Sequence, residues 1–549
     1  SSQNMVVLVD GVRLSENELS GASLTGIAID TVERIEIVRG GSSVLYGEGA
    51  TGGVIQVITK RGKQGPRGMV QVTGGELGYR ELRAAGAMQS GAFSFDLAGS
   101  VLETDNYRAN NALDQKNLSA GLQWADTGAR AGVRLDSARN DVQLAGSLSL
   151  AQFQTDPRQA SSMRDYGSTD SDRITAYLEQ TYGDWQFASE WSHRRKTARA
   201  FYDFGVFGTS NVEMKSKQTQ FSPRIRNLTG TKAYTNEFVA GVDWIRWNRV
   251  NHASYSQANA TQSSRAVYLR DEVRFGAARI AAGARRETFD KSSLDPAPFS
   301  TATYSKSQNE NAWEVQGAYD LLPVLTVFGK TGKSYRMANA DENGYTAIAN
   351  KPLDAQRSRD VEAGLTYSTA QAQATARVFR HKLTGEIYFD PTANGFGTNV
   401  NLAPTQREGV ELDASVRITP DLRLRANWQH VEATFIGGPN NGKEMVMVPD
   451  NTASLRLNWS FAAQHNVDVG AQWVDTQRYG GDFSNNCGAV MPSYTTLDAR
   501  YAFRTGPWEF AAMGSNLGDK RYFSNAFGCR SGIYPSSGRQ LKLSARYEF

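Results

Sequence analysis

The chain has 549 residues, with 60 basic against 56 acidic side chains and a net charge of +4. That balance gives no support to a nucleic-acid partner, and no apolar run approaches the ~18 residues a membrane helix needs. A chain this long ordinarily divides into several domains, yet no linker-like segment separates them. Mean hydropathy is low, at −0.48. A transmembrane barrel, whose strands alternate lipid-facing and lumen-facing residues, keeps such a low mean.

In chain order, residues 6–14 (VVLVDGVRL) read as a strand with a turn at Asp10-Gly11. A polar, glycine-containing stretch, 15–26, follows. Residues 32–61 carry the densest signal. Ile35 and Ile37 alternate with Glu33, Glu36 and Arg39, the period of a sheet with one wet side. Gly40, Gly41, Gly47, Gly49, Gly52 and Gly53 mark tight turns, because glycine accepts positive φ and close backbone approach. Val54, Ile55, Val57 and Ile58 form a second strand, closed by Thr59, Lys60 and Arg61. A phosphate loop is excluded, since no GxxxxGK[ST] spacing is present.

From about Gly65 onward, polar and apolar residues alternate in segments of strand length, at the ~9–11 residues a tilted membrane strand needs. In 540–549, Leu541, Leu543, Ala545, Tyr547 and Phe549 share one face, against Gln540, Lys542, Ser544, Arg546 and Glu548. Aromatics often end the apolar series, as at Trp459, Phe461 and Trp473, which suits an interfacial girdle. A soluble sandwich also alternates, but its second face would be covered. Here that face is charged or amide-bearing almost throughout, which fits a wide polar lumen. Dividing the length by a typical strand-plus-connection repeat predicts about 22 antiparallel strands. Short turns such as 90–92 and 504–508 are expected on the periplasmic side. Outer loops are expected at 156–173, 201–211, 251–264, 289–307, 341–357, 390–402, 436–450, 475–492 and 522–538.

The glycine-rich stretch resembles the C-terminal half of the plug domain of TonB-dependent outer-membrane receptors. Glu33, Arg34, Ile35, Arg39, Gly40, Leu45, Tyr46, Gly47, Gly52, Gly53, Val54, Ile58, Thr59 and Lys60 carry the likeness. Gly41 stands where most members have proline, as in relatives similar to the ferric dicitrate receptor. Residues 144–161, 405–411 and 516–522 and the terminal Phe549 extend the resemblance over the chain. It implies a plug over 1–62 and an all-β transmembrane barrel over 63–549, in the cell outer membrane of a Gram-negative bacterium. It further implies no enzyme, but a monomeric active transporter energised through TonB with the inner-membrane ExbB and ExbD, in contact with outer-membrane lipid and lipopolysaccharide. Ser1 falls inside the plug-like pattern, so the first half of the plug, the TonB box and any signal peptide are expected to lie outside this numbering. The expected cargo is an iron chelate, foremost a ferric siderophore, with no covalently bound cofactor. Cobalamin or another small cofactor such as a quinone is the alternative. A passive porin or adhesin is disfavoured, because a diffusion pore gains nothing from a filled lumen.

No catalytic constellation stands out, and His193, His252, His381, His430 and His465 are scattered without metal-ligand spacing. Cys487 and Cys529 fall in consecutive long loops and are expected to pair in an oxidising periplasm. The ligand is expected to meet the plug apex, 15–26, where Arg13, Glu16, Asn17 and Glu18 are available. From above it would meet the basic run Arg194, Arg195, Lys196 and Arg199 with Phe201, Tyr202, Phe204 and Phe207, since aromatics beside cations suit a flat anionic chelate. The same residues could instead form a membrane girdle with lipopolysaccharide contacts. Later loops offer Tyr345, Tyr388 and Phe396. Glu33, Glu36 and Arg39 are expected to pair with charges on plug or wall. Asp165, Asp170 and Asp172 read as solvated acids more readily than as a calcium loop.

Overall fold

The computed structural model describes residues 2–19, 24–60, 67–298, 302–395 and 397–549. Met5–Val9 (β1) turns through Asp10 and Gly11 into Val12–Arg13 (β2). Both turn residues hold positive φ, 48° and 84°, as a two-residue hairpin requires. Val32–Arg39 (β3) and Gly53–Thr59 (β4) complete a sheet in the order β2-β1-β4-β3, with β4 parallel to β1 and antiparallel to β3. β1 is apolar without alternation because both its faces are covered. Val6 and Leu8 pack with Ala50 and Val54 on one side; Val7 and Val9 pack with Leu14 and Val57 on the other. β3 alternates and is an edge strand, with Ile35 and Ile37 exposed. The Asp10 carboxylate accepts the Thr59 N–H and hydroxyl at 2.9 and 2.7 Å, tying the hairpin turn to the end of β4. Among the glycines between β3 and β4, Ser43–Tyr46 forms one helical turn, α1.

The rest of the chain is a closed ring of 22 antiparallel strands around this sheet. The first, Arg67–Gly75, pairs with the last, Gln540–Glu548, so the clearest strand in the sequence forms the seam. Large apolar side chains such as Val72, Leu97, Leu122, Val267 and Leu543 are exposed on the outside. Glu190, Ser192, Gln218, Glu287, Glu310 and Glu362 are buried inside. This inversion of a soluble protein is what a lipid-facing band and a polar lumen produce.

The two rims differ. One carries brief turns such as 91–92, 183–184 and 506–507; the other carries the connections 144–165, 337–355, 385–404, 436–450, 475–493 and 516–539. Three expected loops are mostly strand, among them 289–307, which falls largely on Ala278–Leu294 and Tyr304–Leu322. Trp185–Asp203 and Thr209–Gly230 leave only 204–208 between them, and Tyr234–Ala253 and Asn259–Phe275 leave only 254–258. The ladder simply continues, with Phe201 still paired to Asn211. Beyond the bilayer such a strand needs no apolar face, so its sequence looks like a loop.

The long connections fold on one another. Leu150–Thr155 (α2) brings Phe153 against Tyr479, Met491, Phe523 and Ile533. Ala340–Gly344 (α3) is capped by Asn339 and Glu342. A disulfide joins Cys487 in 475–493 to Cys529 in 516–539. The expected domain boundary at 62/63, residues 20–23 of the expected apex and Phe396 lie outside the described residues.

Candidate functional site

Besides the Arg83–Asp30 pair, three sets of contacts seat the N-terminal sheet in the lumen. The first is at the end of β3. Arg39 meets Glu411 at 3.2 Å and Asp413 at 2.5 and 3.0 Å on the wall. Gly40 has φ 74°, and a Cβ there would run into the Glu362 carboxylate. Both facts call for glycine. Lys330 donates to the Gly41 carbonyl at 2.7 Å, while Arg377 donates to Glu362 at 2.8 Å.

The second is α1. Val44 is buried against Phe289, Tyr335 and Met337. The Gly49 N–H donates to the Tyr335 carbonyl at 3.0 Å. The Tyr335 hydroxyl donates to Glu287 at 2.5 Å, and Glu287 also accepts from Arg285 at 2.9 Å. Gly47, at φ 73°, lets Arg285 lie where a Cβ would come within 2.8 Å of its guanidinium. Burial pushes the Tyr46 hydroxyl up.

The third is the tip that follows β2. Arg194 donates to the Leu14 carbonyl at 2.6 Å and meets Glu16 at 2.6 Å; Lys196 meets Glu16 at 2.6 Å and also Glu18. Burial pushes the Glu16 carboxyl up, but Arg194 and Lys196 outweigh it and hold Glu16 below the usual carboxylate range. The Ala340 N–H donates to the Asn17 carbonyl at 3.0 Å. Asp341 accepts from the Leu19 N–H at 2.8 Å and from Arg249 at 2.6 Å. Helix α3 of the 337–355 connection therefore sits directly on the tip.

Among the spaces that remain at this interface, which include one of about 140 Å³ between Asp10 and Gln56 and the wall residues Asp96 and Arg134, two bear on the seating. One, of about 830 Å³, lies beside β3 and is lined by Ile37, Arg39, Phe328 and Lys330 among others. The other, of about 40 Å³, separates residues 13–17 from the wall. Among the described residues, the Asn17 and Gln262 amide oxygens that line it have no partner, which suits ordered water. Burial pushes the Glu48 carboxyl up, more than Lys291 and Arg13 nearby lower it.

The residues singled out from sequence fall in different places. Arg13 is internal to the tip, donating to the Glu48 carbonyl and to Ser15 at 2.9 Å. Asn17 is buried there too. The basic run is not one cluster, which corrects the expected grip. Alternation turns Arg194 and Lys196 inward, where plug acids neutralise them, and turns Arg195 and Arg199 outward. Arg199 pairs with Asp170 at 3.1 Å and Glu213 at 3.2 Å on the outer surface. Phe201 stacks on Tyr166. Tyr202 stacks on Phe204, and Phe207 at the hairpin tip is 90% exposed. Tyr345 is exposed, whereas Tyr388 packs edge-on against Phe483, and burial raises its hydroxyl. Glu33 and Glu36 lie with Arg34 on the open strand. Gly52 donates its N–H to the Asn4 carbonyl at 2.7 Å, and a Cβ on Gly53 would strike the Val38 carbonyl. Asp165 accepts the Asp203 N–H, and Asp170 and Asp172 are engaged by Arg139. The wall acids Glu362, Glu411 and Asp413 and the loop acid Asp341 escaped sequence reasoning. Only the Asn339–Glu342 capping pair carried a local signal.

Comparisons with known proteins agree with this architecture. The model of the TonB-dependent receptor plug domain matches residues 1–54, and that of the TonB-dependent receptor-like β-barrel matches residues 73–517. The chain is 22% identical to the metal-pseudopaline receptor of Pseudomonas aeruginosa, over 94% of this chain and 80% of that protein. It is 22% identical to the vitamin B12 transporter of Vibrio vulnificus, over 100% of this chain and 85% of that one. The crystal structure of a siderophore receptor from Acinetobacter baumannii shares the fold, with a TM-score of 0.86 at 17% identity, covering 100% of this chain and 90% of that chain.

Proposed function

The chain belongs to the TonB-dependent receptor family, and from that premise we propose that it is an active transporter of the Gram-negative outer membrane, taking up a scarce metal chelate, foremost a ferric siderophore. TonB, driven by ExbB and ExbD, supplies the energy. The observation that carries this reading is how the plug is seated. Its contacts with the wall are mainly ion pairs and hydrogen bonds, such as Arg39 with Glu411 and Asp413, and Glu16 with Arg194 and Lys196. Partly exposed pairs like the first contribute only ~0–1 kcal/mol each, and water can replace them. A plug held this way is closed at rest and can be remodelled by external work, which a passive porin or adhesin has no use for.

The ligand enters from the loop rim and rests above the α3-covered tip. Tyr345 and Tyr202 are the aromatic candidates for contact with it, while Arg13, Arg194 and Lys196 act by holding the plug. Vitamin B12 is the second reading, favoured by the likeness to a B12 transporter. The test is growth of a receptor-null strain expressing the protein, on a panel of ferric chelates and on cobalamin, with TonB present or deleted. TonB-dependent growth on at least one ferric chelate is the expected result. Response to cobalamin alone would select the second reading, and TonB-independent entry would overturn active transport.

A further inference from the structure

On one side of the plug tip, the lumen wall that rises above it is uncharged. Arg194 and Lys196 face inward from Trp185–Asp203, where they meet the tip. Alternation therefore puts Ala198, Ala200 and Tyr202 on the same face, nearer the loop rim. Register places Thr169 and Met214 on either side of Ala198, and Gly167 and Val212 on either side of Ala200. Asn140 and Val142 continue the two rows along Ala129–Gln143, and Asn251 and Ala253 continue them along Tyr234–Ala253. None of these residues carries a charge. Strands ~4.8 Å apart make this wall about 20 Å wide. Helix α3 lies at one end of it, with Ala340 against Trp247 and Ala260. Val212, Asn251 and Ala253 are buried, whereas the other members of both rows and Tyr202 are partly exposed. Gly167, Ala198 and Ala200 carry at most a methyl group, so they form a shallow floor between the larger Val142, Met214 and Tyr202.

The inward cations around this wall are already matched by acids. One row below it, Glu16 holds Lys196 and Asp341 holds Arg249, each at 2.6 Å. Farther round the lumen, Glu342 holds Arg336 at 2.9 Å and Glu386 holds Arg407 at 2.7 Å. An anionic molecule would have to draw one of these cations from its acid and leave a buried carboxylate unmatched. The wall itself gives an anion nothing in exchange for its lost water. An uncharged ring meets neither cost. It gains contact with the small-residue floor, the Met214 thioether and the Tyr202 ring. We infer that this wall sets the class of cargo: a metal chelate whose organic shell is uncharged overall and carries aryl groups, in preference to a polyanionic carboxylate or catecholate chelate. Ala198 and Ala200 are the specificity positions, because any charged side chain there would fill the floor and change its sign. The inference rests on the transporter reading given above and narrows it.

The test is equilibrium dialysis of the full chain in detergent, with bound iron measured and a protein-free micelle blank subtracted. The probes are the iron(III) complexes of benzohydroxamate, acetohydroxamate, citrate and catecholate, each with excess free ligand. The first two share metal, donor atoms and neutrality and differ only in aryl against methyl. A heat-modifiable gel shift shows that each barrel is intact. Wild type should bind the benzohydroxamate complex on the order of tenfold more tightly than the acetohydroxamate complex, and both anionic complexes more weakly than either. Ala200→Arg should weaken the aryl complex on the order of tenfold and bind the anionic ones more tightly than wild type does. Tyr202→Ala, which adds no bulk, should weaken the aryl complex and leave the acetohydroxamate complex unchanged. Tighter binding of an anionic complex by wild type, equal binding of the two hydroxamates, binding of none of the four, or wild-type behaviour of both variants would each overturn the inference. TonB-dependent growth on an anionic chelate in preference to the aryl one would overturn it too and leave the transporter reading standing. TonB-independent entry of every chelate would remove the transporter reading itself, a separate result.

Discussion

Glu16 is the acid on which the seating of the plug tip depends. Its side chain is 3% exposed and it meets two cations, Arg194 and Lys196, that are each 11% exposed. Glu16→Gln keeps the shape and removes the charge. Stripping one partner from a buried ion pair costs ~3–5 kcal/mol when the survivor is left alone. Here neither survivor is alone, because Arg194 keeps the Leu14 carbonyl at 2.6 Å and Lys196 keeps Glu18. The expected cost is therefore lower, about 2–3 kcal/mol. The comparison variant is Glu36→Gln, whose pair with Arg34 is about half exposed on both sides and should contribute ~0–1 kcal/mol. Unfolding of the barrel would mask both effects, so the readout is amide hydrogen exchange of β1 and β4, which reports local opening of the plug. Glu16→Gln should speed exchange there roughly thirtyfold to a hundredfold or more, and a cycle with Arg194→Gln should show coupling of about 1 kcal/mol or more. Exchange no faster than in Glu36→Gln, or strict additivity, would refute the idea that this contact holds the plug.

Acidification should loosen the same contact. The folded Glu16 pKa lies below its unfolded value, so its stabilisation is complete above the ordinary carboxyl range and is lost as pH falls through the folded pKa. Plug protection should hold from neutral pH to about pH 4 and fall below it; protection unchanged to about pH 2 would count against this. Gly40→Ala should unseat the plug by ~1–3 kcal/mol, through strain at positive φ and collision with Glu362. Exchange of β3 and β4 should quicken while the gel shift of the barrel stays as in wild type. Cys487→Ser should make 475–493 and 516–539 more sensitive to protease, by at most the ~2–4 kcal/mol typical of a disulfide. Unchanged cleavage would assign the stability of those loops to the packing of Phe153, Tyr479, Met491, Phe523 and Ile533.

The transmembrane part of the fold was legible because the bilayer imposes the pattern. Leu541 and Leu543 face out and are exposed, as their spacing predicts. Strand ends were not legible. From Phe201 to Asn211 the chain leaves the bilayer, and a solvated strand and a polar loop have the same composition. The site was legible only in halves. Arg39 could be marked from its place in the plug motif, but its partner Glu411 lies 372 residues away and nothing local announces it. The basic run from Arg194 to Arg199 was misread as one cluster, although period-2 alternation already divides it into inward and outward members. The covering of the tip by α3 was foreshadowed at one point, the Asn339–Glu342 cap, which identifies a helix start but not what it rests on.

The barrel is far taller on one side than on the other. Strands Trp185–Asp203, Thr209–Gly230 and Tyr234–Ala253 have 19, 22 and 20 residues, against 8 and 9 for Trp508–Ser515 and Gln540–Glu548. Mechanically, the mouth is a jaw with one fixed half. A continuous hydrogen-bonded ladder cannot swing without breaking bonds along its length, so the tall side acts as an anvil. The opposite half is built from long connections, and there the Cys487–Cys529 link fuses two of them into a single leaf. If the protein captures a ligand as proposed above, closure over it would have to come from that leaf and its neighbours rather than from the ladder.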